Sequence, residues 1–408
     1  MMIYSKDTRY CTQTTLTPCT ERYARWCERS AAQLMGSLLL DSITKEVVMI
    51  MSMKKTASVI LSAVILILSC GCGASSQQNS EAPEIPAKQD ITSCTKELFA
   101  MDTYMTVTAY GEKAEKAVGE ALSEIQRLDA LLSTENTESE ISLLNKKGSA
   151  KLSEDSTYLY EKAKYIYDTT GGAYDITIYP LMKLWGFDGG EPSLPEDSEI
   201  KAVLANIGSD RLKYSDGTLT LGQSQGIDLG GIAKGYTSGR IMQIFEENDI
   251  SSGVVSLGGN VQCYKKKPDG SLWRCGITDP DNPDDTSSLI GKVEVEDKAV
   301  ITSGGYERFF TDEKSGVTYH HIMDPETGYS AKSGLKSVSI VSSDGTLADG
   351  LSTACFVLGR EKALKYWENH RKECDMILVT DDGEVIVTSG ISGAFSSDRD
   401  FTVYNGSR

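Results

Sequence analysis

Hydrophobic and polar positions fall into two periods along this chain. Over Phe99–Tyr110 they alternate, which predicts a strand anchored by Met101, Tyr104 and Val107. Ala114, Val118, Ala121, Ile125, Leu128 and Leu132 then recur at three- and four-residue intervals, so Glu112–Leu132 reads as an amphipathic helix. A second helix is predicted from near Glu154 to Asp168, with Ser153 as its N-cap and Gly171-Gly172 as its stop. Ala173–Ile178 reads as strand, and Pro180 suits the first turn of a short helix over Leu181–Trp185. An acidic, proline-bearing loop, Glu191–Asp197, leads to short strands near Leu212–Tyr214 and Leu219–Leu221.

The pattern changes at Gly226-Ile227-Asp228-Leu229-Gly230-Gly231-Ile232-Ala233-Lys234-Gly235, the stretch around which the chain is organised. It reads as an apolar strand ending on a carboxylate, a turn, and a helix running to about Asn248. Beyond it the chain is mostly β: Gly253–Leu257, Lys292–Val295, Ala299–Thr302, Glu307–Thr311 and Thr318–Ile322. Helices over Thr346–Leu358 and Glu361–His370 follow, and Met376–Thr380 with Glu384–Thr388 form a terminal hairpin across Asp381-Asp382-Gly383. Strands interspersed with clustered helices predict an α+β fold rather than a regular βαβ sheet.

The N-terminal part is of another kind. Met53-Lys54-Lys55, an apolar run from Ala57 to Leu68, and Ser69-Cys70-Gly71-Cys72 form a secretory signal with a lipobox. The run is too short for a comfortable membrane span. Cys70 is the better lipidated residue, with Cys72 the alternative. The expected organisation is an upstream, non-native extension over 1–52, a lipoprotein signal over 53–69, a flexible Ser-, Gln- and Pro-bearing tether over 70–95, and one folded unit over 96–408. If residues 1–52 are translated, the apolar run would instead be an internal signal-anchor. A lipidated chain of this kind would sit at the cell membrane, facing outward.

Composition narrows the chemistry. With a net charge of −17 and a pI near 4.8, the chain lacks the basic balance of a sequence-independent nucleic-acid binder. Cys94, Cys263, Cys275, Cys355 and Cys374 are widely spaced and contain no C-x-x-C pair, so they suggest neither a zinc site nor a dense disulfide framework; an isolated disulfide stays open.

The candidate chemistry lies at turns. Glycines at a helix start leave unpaired N–H groups that suit phosphate, with Asp228 before them and Lys234 after. The plainer alternative is a tight strand–helix turn, and the segment matches neither a Walker A loop nor G-x-G-x-x-G. Asp349 and Thr353, four apart on a helix, present hard oxygens to one face and suit Mg²⁺; alternatively they are a first-turn acid and a packed methyl. His321, at a strand end before Asp324-Pro325, suits a general base, with His320 turned to the other face and His370 exposed. Tyr174 and Trp185 could stack on a planar ring or fill the core.

Taken in order, these blocks resemble the ApbE family of FAD:protein FMN transferases. They are Met101-Asp102-Thr103-Tyr104-Met105, Gly172–Thr177 with Leu184–Phe187, Ile227–Tyr236, Ser256–Asn260, Thr302–Arg308, His321–Gly328 and Ala348–Ala354. The resemblance spans roughly residues 96–400. It implies a T-fold-related arrangement of mixed sheets and packed helices, one catalytic unit of two lobes. It further implies Mg²⁺-dependent transfer of FMN from FAD to a threonine or serine hydroxyl of a partner protein, with release of AMP. By matching position, Met101, Ala173, Tyr174, Asp175, Asp228 and Lys234 would contact FAD, and Ile322 would line the flavin site. Gly231 (through its carbonyl), Asp349 and Thr353 would hold Mg²⁺, and His321 would deprotonate the acceptor. The acceptor expected is a protein of a membrane redox complex or an extracytoplasmic electron-transfer system. Hydrolysis of FAD to FMN and AMP, and flavin binding without catalysis, are the competing activities. Glu135 departs from the family's frequent tyrosine.

Overall fold

The computed structural model describes residues 92–407. The signal, the tether up to residue 91 and the lipidation candidates Cys70 and Cys72 lie outside the described residues.

Nine strands form one sheet: β1 (Ser93–Ala100), β2 (Thr103–Tyr110), β3 (Ser252–Leu257), β4 (Asn260–Tyr264), β5 (Ala299–Gly304), β6 (Leu335–Ser342), β7 (Asp375–Thr380), β8 (Val385–Thr388) and β9 (Thr402–Tyr404). Their order in space is their order in the chain. Each neighbouring pair is antiparallel except β8 with β9. The helices are α1 (Ala114–Leu132), α2 (Glu140–Lys147), α3 (Glu154–Thr170), α4 (Tyr179–Leu184), α5 (Asp197–Leu204), α6 (Gly230–Glu247) and α7 (Gly345–His370).

The inner strands are largely buried on both faces. Ile301, Ile340, Met376 and Leu378 face the helices, packing with Leu347, Leu351 and Phe356 of α7. Val300, Val341, Ile377 and Val379 face the other way, onto a three-stranded sheet of Trp273–Thr278, Leu289–Val295 and Phe395–Ser396. Period-two alternation thus divides each strand between two cores. The helices α1 and α6 cover β2 and β3 through Val118, Ile125, Ile241 and Phe245.

Several predicted elements form as expected. Ser153 Oγ accepts the Ser156 N–H at the start of α3, and Gly171 closes it in the left-handed conformation. Helix α7 breaks at Gly359 (φ 75°, ψ 173°), the point between the two predicted helices.

Others differ for physical reasons. The stretch Phe99–Tyr110 is a hairpin rather than one strand, because Met101 and Asp102 both adopt positive φ (47° and 58°) and turn the chain within two residues. Ala173–Ile178 is not a strand: the Asp175 side chain caps a single 3₁₀ turn, Ile176–Ile178. Gly226–Asp228 pairs with no strand either. The Asn145 side chain accepts from Ile227 N–H and donates to Ile227 C=O, taking the place of a neighbouring strand, and Asp228 N–H donates to Ile176 C=O. Helices α2 and α5 and the central strand β6 add to the predicted elements. The final hairpin is not terminal, since β9 returns alongside β8.

Candidate active site

A cavity of about 290 Å³ opens at one end of the large sheet. Four segments converge there: the β1–β2 turn, the Gly258-Gly259 turn between β3 and β4, the first turn of α6, and α7 from its second turn on. The two hairpin turns share one shape, and glycine supplies the positive φ at Gly258 (61°) and Gly259 (92°). At Met101 no glycine does so; its N–H donates to Asp129 Oδ1 at 3.1 Å, which holds the strained turn over the cavity.

All eleven predicted site residues within the described range line this one cavity: Met101, Ala173, Tyr174, Asp175, Asp228, Gly231, Lys234, His321, Ile322, Asp349 and Thr353. They come from segments more than two hundred residues apart in sequence, as Met101 and Thr353 show.

Asp349 occupies the second turn of α7 and is buried. Its Oδ2 accepts the Gly235 N–H (2.8 Å) and its Oδ1 accepts Asn260 Nδ2 (3.0 Å). No ion pair reaches it among the described residues. Burial therefore raises its pKa, opposed by the nearby Lys234 charge and the two hydrogen bonds. Thr353, one turn on, has its hydroxyl 3.3 Å from Ser303 Oγ. Helices α6 and α7 approach closely here: a Cβ on Gly235 would stand 2.6 Å from Asp349 Cβ and nearer still to the Gly345 carbonyl.

His321 sits half-buried, with its Nδ1 3.3 Å from the Arg308 carbonyl oxygen, which also accepts the His321 backbone N–H at 3.0 Å. A carbonyl can only accept, so Nδ1 carries the proton and Nε2 is left with a lone pair. Burial, reinforced by the Arg308 and His320 charges, holds its pKa well below the ordinary value, so the ring is a neutral base at pH 7. The Arg308 guanidinium is tied to the Phe187 carbonyl. His320 faces away, as expected, with Nε2 on the Ala331 carbonyl and its ring edge-on to Phe356. His370 is partly covered rather than free, stacked on Tyr366 at 3.9 Å.

One expectation changes. The first amide of α6 is not bare: Asp228 Oδ1 accepts the Gly230 N–H at 2.7 Å, so a carboxylate already occupies part of that anion position. Of the two alternatives kept for Trp185 the core one holds: it is fully buried among Phe310, Tyr319 and Tyr329, its indole donates to the Gly328 carbonyl, and it does not line the cavity. Tyr174 does line the cavity and packs against Gly231.

Sequence reasoning left out Asn260, Glu307 and Arg308. Each stood within a quoted block, and their signal was a polar residue next to a glycine turn. Burial pushes the Glu307 carboxyl up to about 7, against the pull of Lys234. Glu135 also faces the cavity, its pKa raised by burial and by Asp102 and Asp188. Among the described residues no cluster of three His, Cys, Asp or Glu side chains suits a metal, and no helix is long and apolar enough to cross a membrane.

Comparison with known proteins gives this arrangement a context. The FAD:protein FMN transferase of Treponema pallidum is 33% identical over 317 residues, covering 72% of this chain and 86% of its own. That of Klebsiella pneumoniae is 32% identical over 273 residues, with 65% and 82% covered. Among solved structures, the ApbE protein of Thermotoga maritima superposes with a TM-score of 0.69 at 30% identity, covering 74% of this chain and 99% of its own. The flavin transferase ApbE of Vibrio cholerae gives 0.67 at 25% identity, with 74% and 99% covered. The ApbE family model matches residues 101–378, and the chain belongs to that family.

Proposed function

We propose that this chain transfers FMN from FAD to a serine or threonine hydroxyl of an acceptor protein, in a Mg²⁺-dependent reaction that releases AMP. The observation that carries this reading is the meeting, in one cavity, of a neutral histidine with its Nε2 lone pair available and a buried aspartate that, among the described residues, makes no contact ion pair. The names of the relatives, FAD:protein FMN transferase, support it.

The donor set fits Mg²⁺. Asp349 keeps lone pairs beyond its two hydrogen bonds, and with the Thr353 hydroxyl and the Gly231 carbonyl it offers hard oxygens and leaves room for water and phosphate. When bound, the metal would supply Lewis acidity at the pyrophosphate. Met101, Ala173, Tyr174, Asp175 and Asp228 would contact FAD, Ile322 would wall the flavin, and Lys234 would offset phosphate charge. His321 Nε2 takes the proton of the acceptor hydroxyl, whose oxygen bonds to the FMN phosphorus as the bond to AMP breaks. An acceptor from a membrane redox complex or an extracytoplasmic electron-transfer system, and anchoring on the outer face of the cell membrane through Cys70, complete the reading.

The test combines the purified protein, FAD, Mg²⁺ and a flavin-carrier domain, following AMP and the carrier's mass. A gain equal to FMN, matched by AMP, is expected. AMP without the gain would mean hydrolysis, and FAD binding without AMP would mean a flavin-binding protein. For the anchor, Cys70→Ala should abolish lipid labelling in cells; retained label would assign Cys72.

A further inference from the structure

We infer that Cys263 and Cys275 are oxidised to a disulfide that ties the three-stranded sheet to the large one. Their sulfurs stand 3.8 Å apart and both side chains are buried. Cys263 lies on β4 of the large sheet, and Cys275 on the first strand of the small one, so the contact spans the two layers. Among the described residues it is the one thiol–thiol contact.

The approach is fixed by the backbone and not by the thiols. The chain between them turns back through Lys267 N–H to Ser271 C=O (2.9 Å), and the Trp273 indole donates to the Lys265 carbonyl (2.9 Å). A disulfide needs sulfurs about 2.0 Å apart, so the pair must close by roughly 1.8 Å, within reach of side-chain rotation.

The step consumes a disulfide oxidant of the thiol–disulfide exchange class, R–S–S–R. One cysteine thiolate attacks it, forming a mixed disulfide and releasing RS⁻. The second thiolate then displaces the other R–S⁻, so two cysteine thiols become one disulfide and the oxidant becomes two thiols. The Cys275 contact and burial both raise the Cys263 pKa well above its ordinary value, so thiolate is scarce once the sheets have docked. Both sulfurs are also buried once the sheets have docked, so the oxidant reaches them while the small sheet is closing onto the large one. Neither sulfur lines the catalytic cavity.

The test refolds the full chain with oxidised glutathione, blocks remaining thiols by alkylation, and maps tryptic peptides. Trypsin cuts after Lys265 and Arg274, placing the two cysteines on separate peptides unless they are bonded. The expected result is a linked pair that separates on reduction, with the melting temperature of the reduced protein lower by roughly 5 °C. Cys263→Ser and Cys275→Ser should each remove that reduction-dependent shift. Alkylated Cys263 and Cys275 after oxidative refolding would overturn the inference, as would linkage of either to another cysteine, or a link with no shift on reduction. The peptide map is decided on the unsubstituted chain, so it stands even if a serine variant fails to fold.

Discussion

Two buried aspartates line the same cavity and have opposite surroundings. Asp175 and Asp349 are 6% and 5% exposed, so burial does not distinguish them. Asp175 is saturated: it accepts from Thr177 N–H (2.8 Å), Thr177 Oγ1 (2.7 Å), Ser209 Oγ (2.6 Å) and Ser209 N–H (3.1 Å). Asp349 has two hydrogen-bond donors and, among the described residues, no contact ion pair, Lys234 acting on it only from a distance. The first carboxylate has spent its lone pairs on joining the 3₁₀ turn to the segment before Arg211. The second keeps some free, at the expense of stability, and that is the arrangement a ligand-binding carboxylate requires.

This contrast breaks most sharply at Asp349. Asp349→Ala should reduce Mg²⁺-dependent AMP release to background while the protein remains folded; turnover that survives would remove Asp349 from the metal site. His321→Ala should lower transfer by roughly 10²- to 10⁴-fold and leave FAD affinity intact. Normal transfer by that variant would exclude His321 as the base. Asp175→Ala should act on folding as well as on FAD binding, destabilising by about 3 kcal/mol in denaturant titration because several donors lose their acceptor.

The pH dependence of stability sharpens the same comparison. The pKa of Asp349 is raised above its ordinary 3.8, so between the two values the folded state holds more protons than the unfolded state. Its contribution to stability therefore falls as pH rises through that window. Without metal, Asp349→Asn should flatten this decline and melt no lower than the parent at neutral pH; a steeper decline would contradict the assignment. The smallest effect is expected at Ser153, where Ser153→Ala removes the cap of α3 for about 1 kcal/mol.

The cavity was more legible in the sequence than the fold around it. Asp349 and Thr353 at helical spacing, and His321 before an Asp-Pro turn, carry their chemistry in residue type and local order. What the sequence pattern misread was pairing. Ala173–Ile178 has the composition of a strand, but Asp175 supplies the acceptors a neighbouring strand would have offered. Ile227 is bonded on both sides by the Asn145 side chain, 82 residues away in sequence. The β1–β2 turn was hidden because Met101 adopts a backbone conformation that glycine usually supplies. The first amide of α6 looked free for phosphate, but a helix start satisfies that amide itself when a carboxylate precedes it, as Asp228 does here.

The large sheet repeats in space the order of its strands in the chain. A chain emerging N-terminus first can therefore add each strand to the edge its predecessor has just made, with no earlier pair having to part. The long stretch between β2 and β3, which carries the first six helices, leaves and rejoins at one growing edge. Assembly can proceed vectorially, and the cavity is completed before the last three strands, when α7 brings Asp349 and Thr353 to turns already in place.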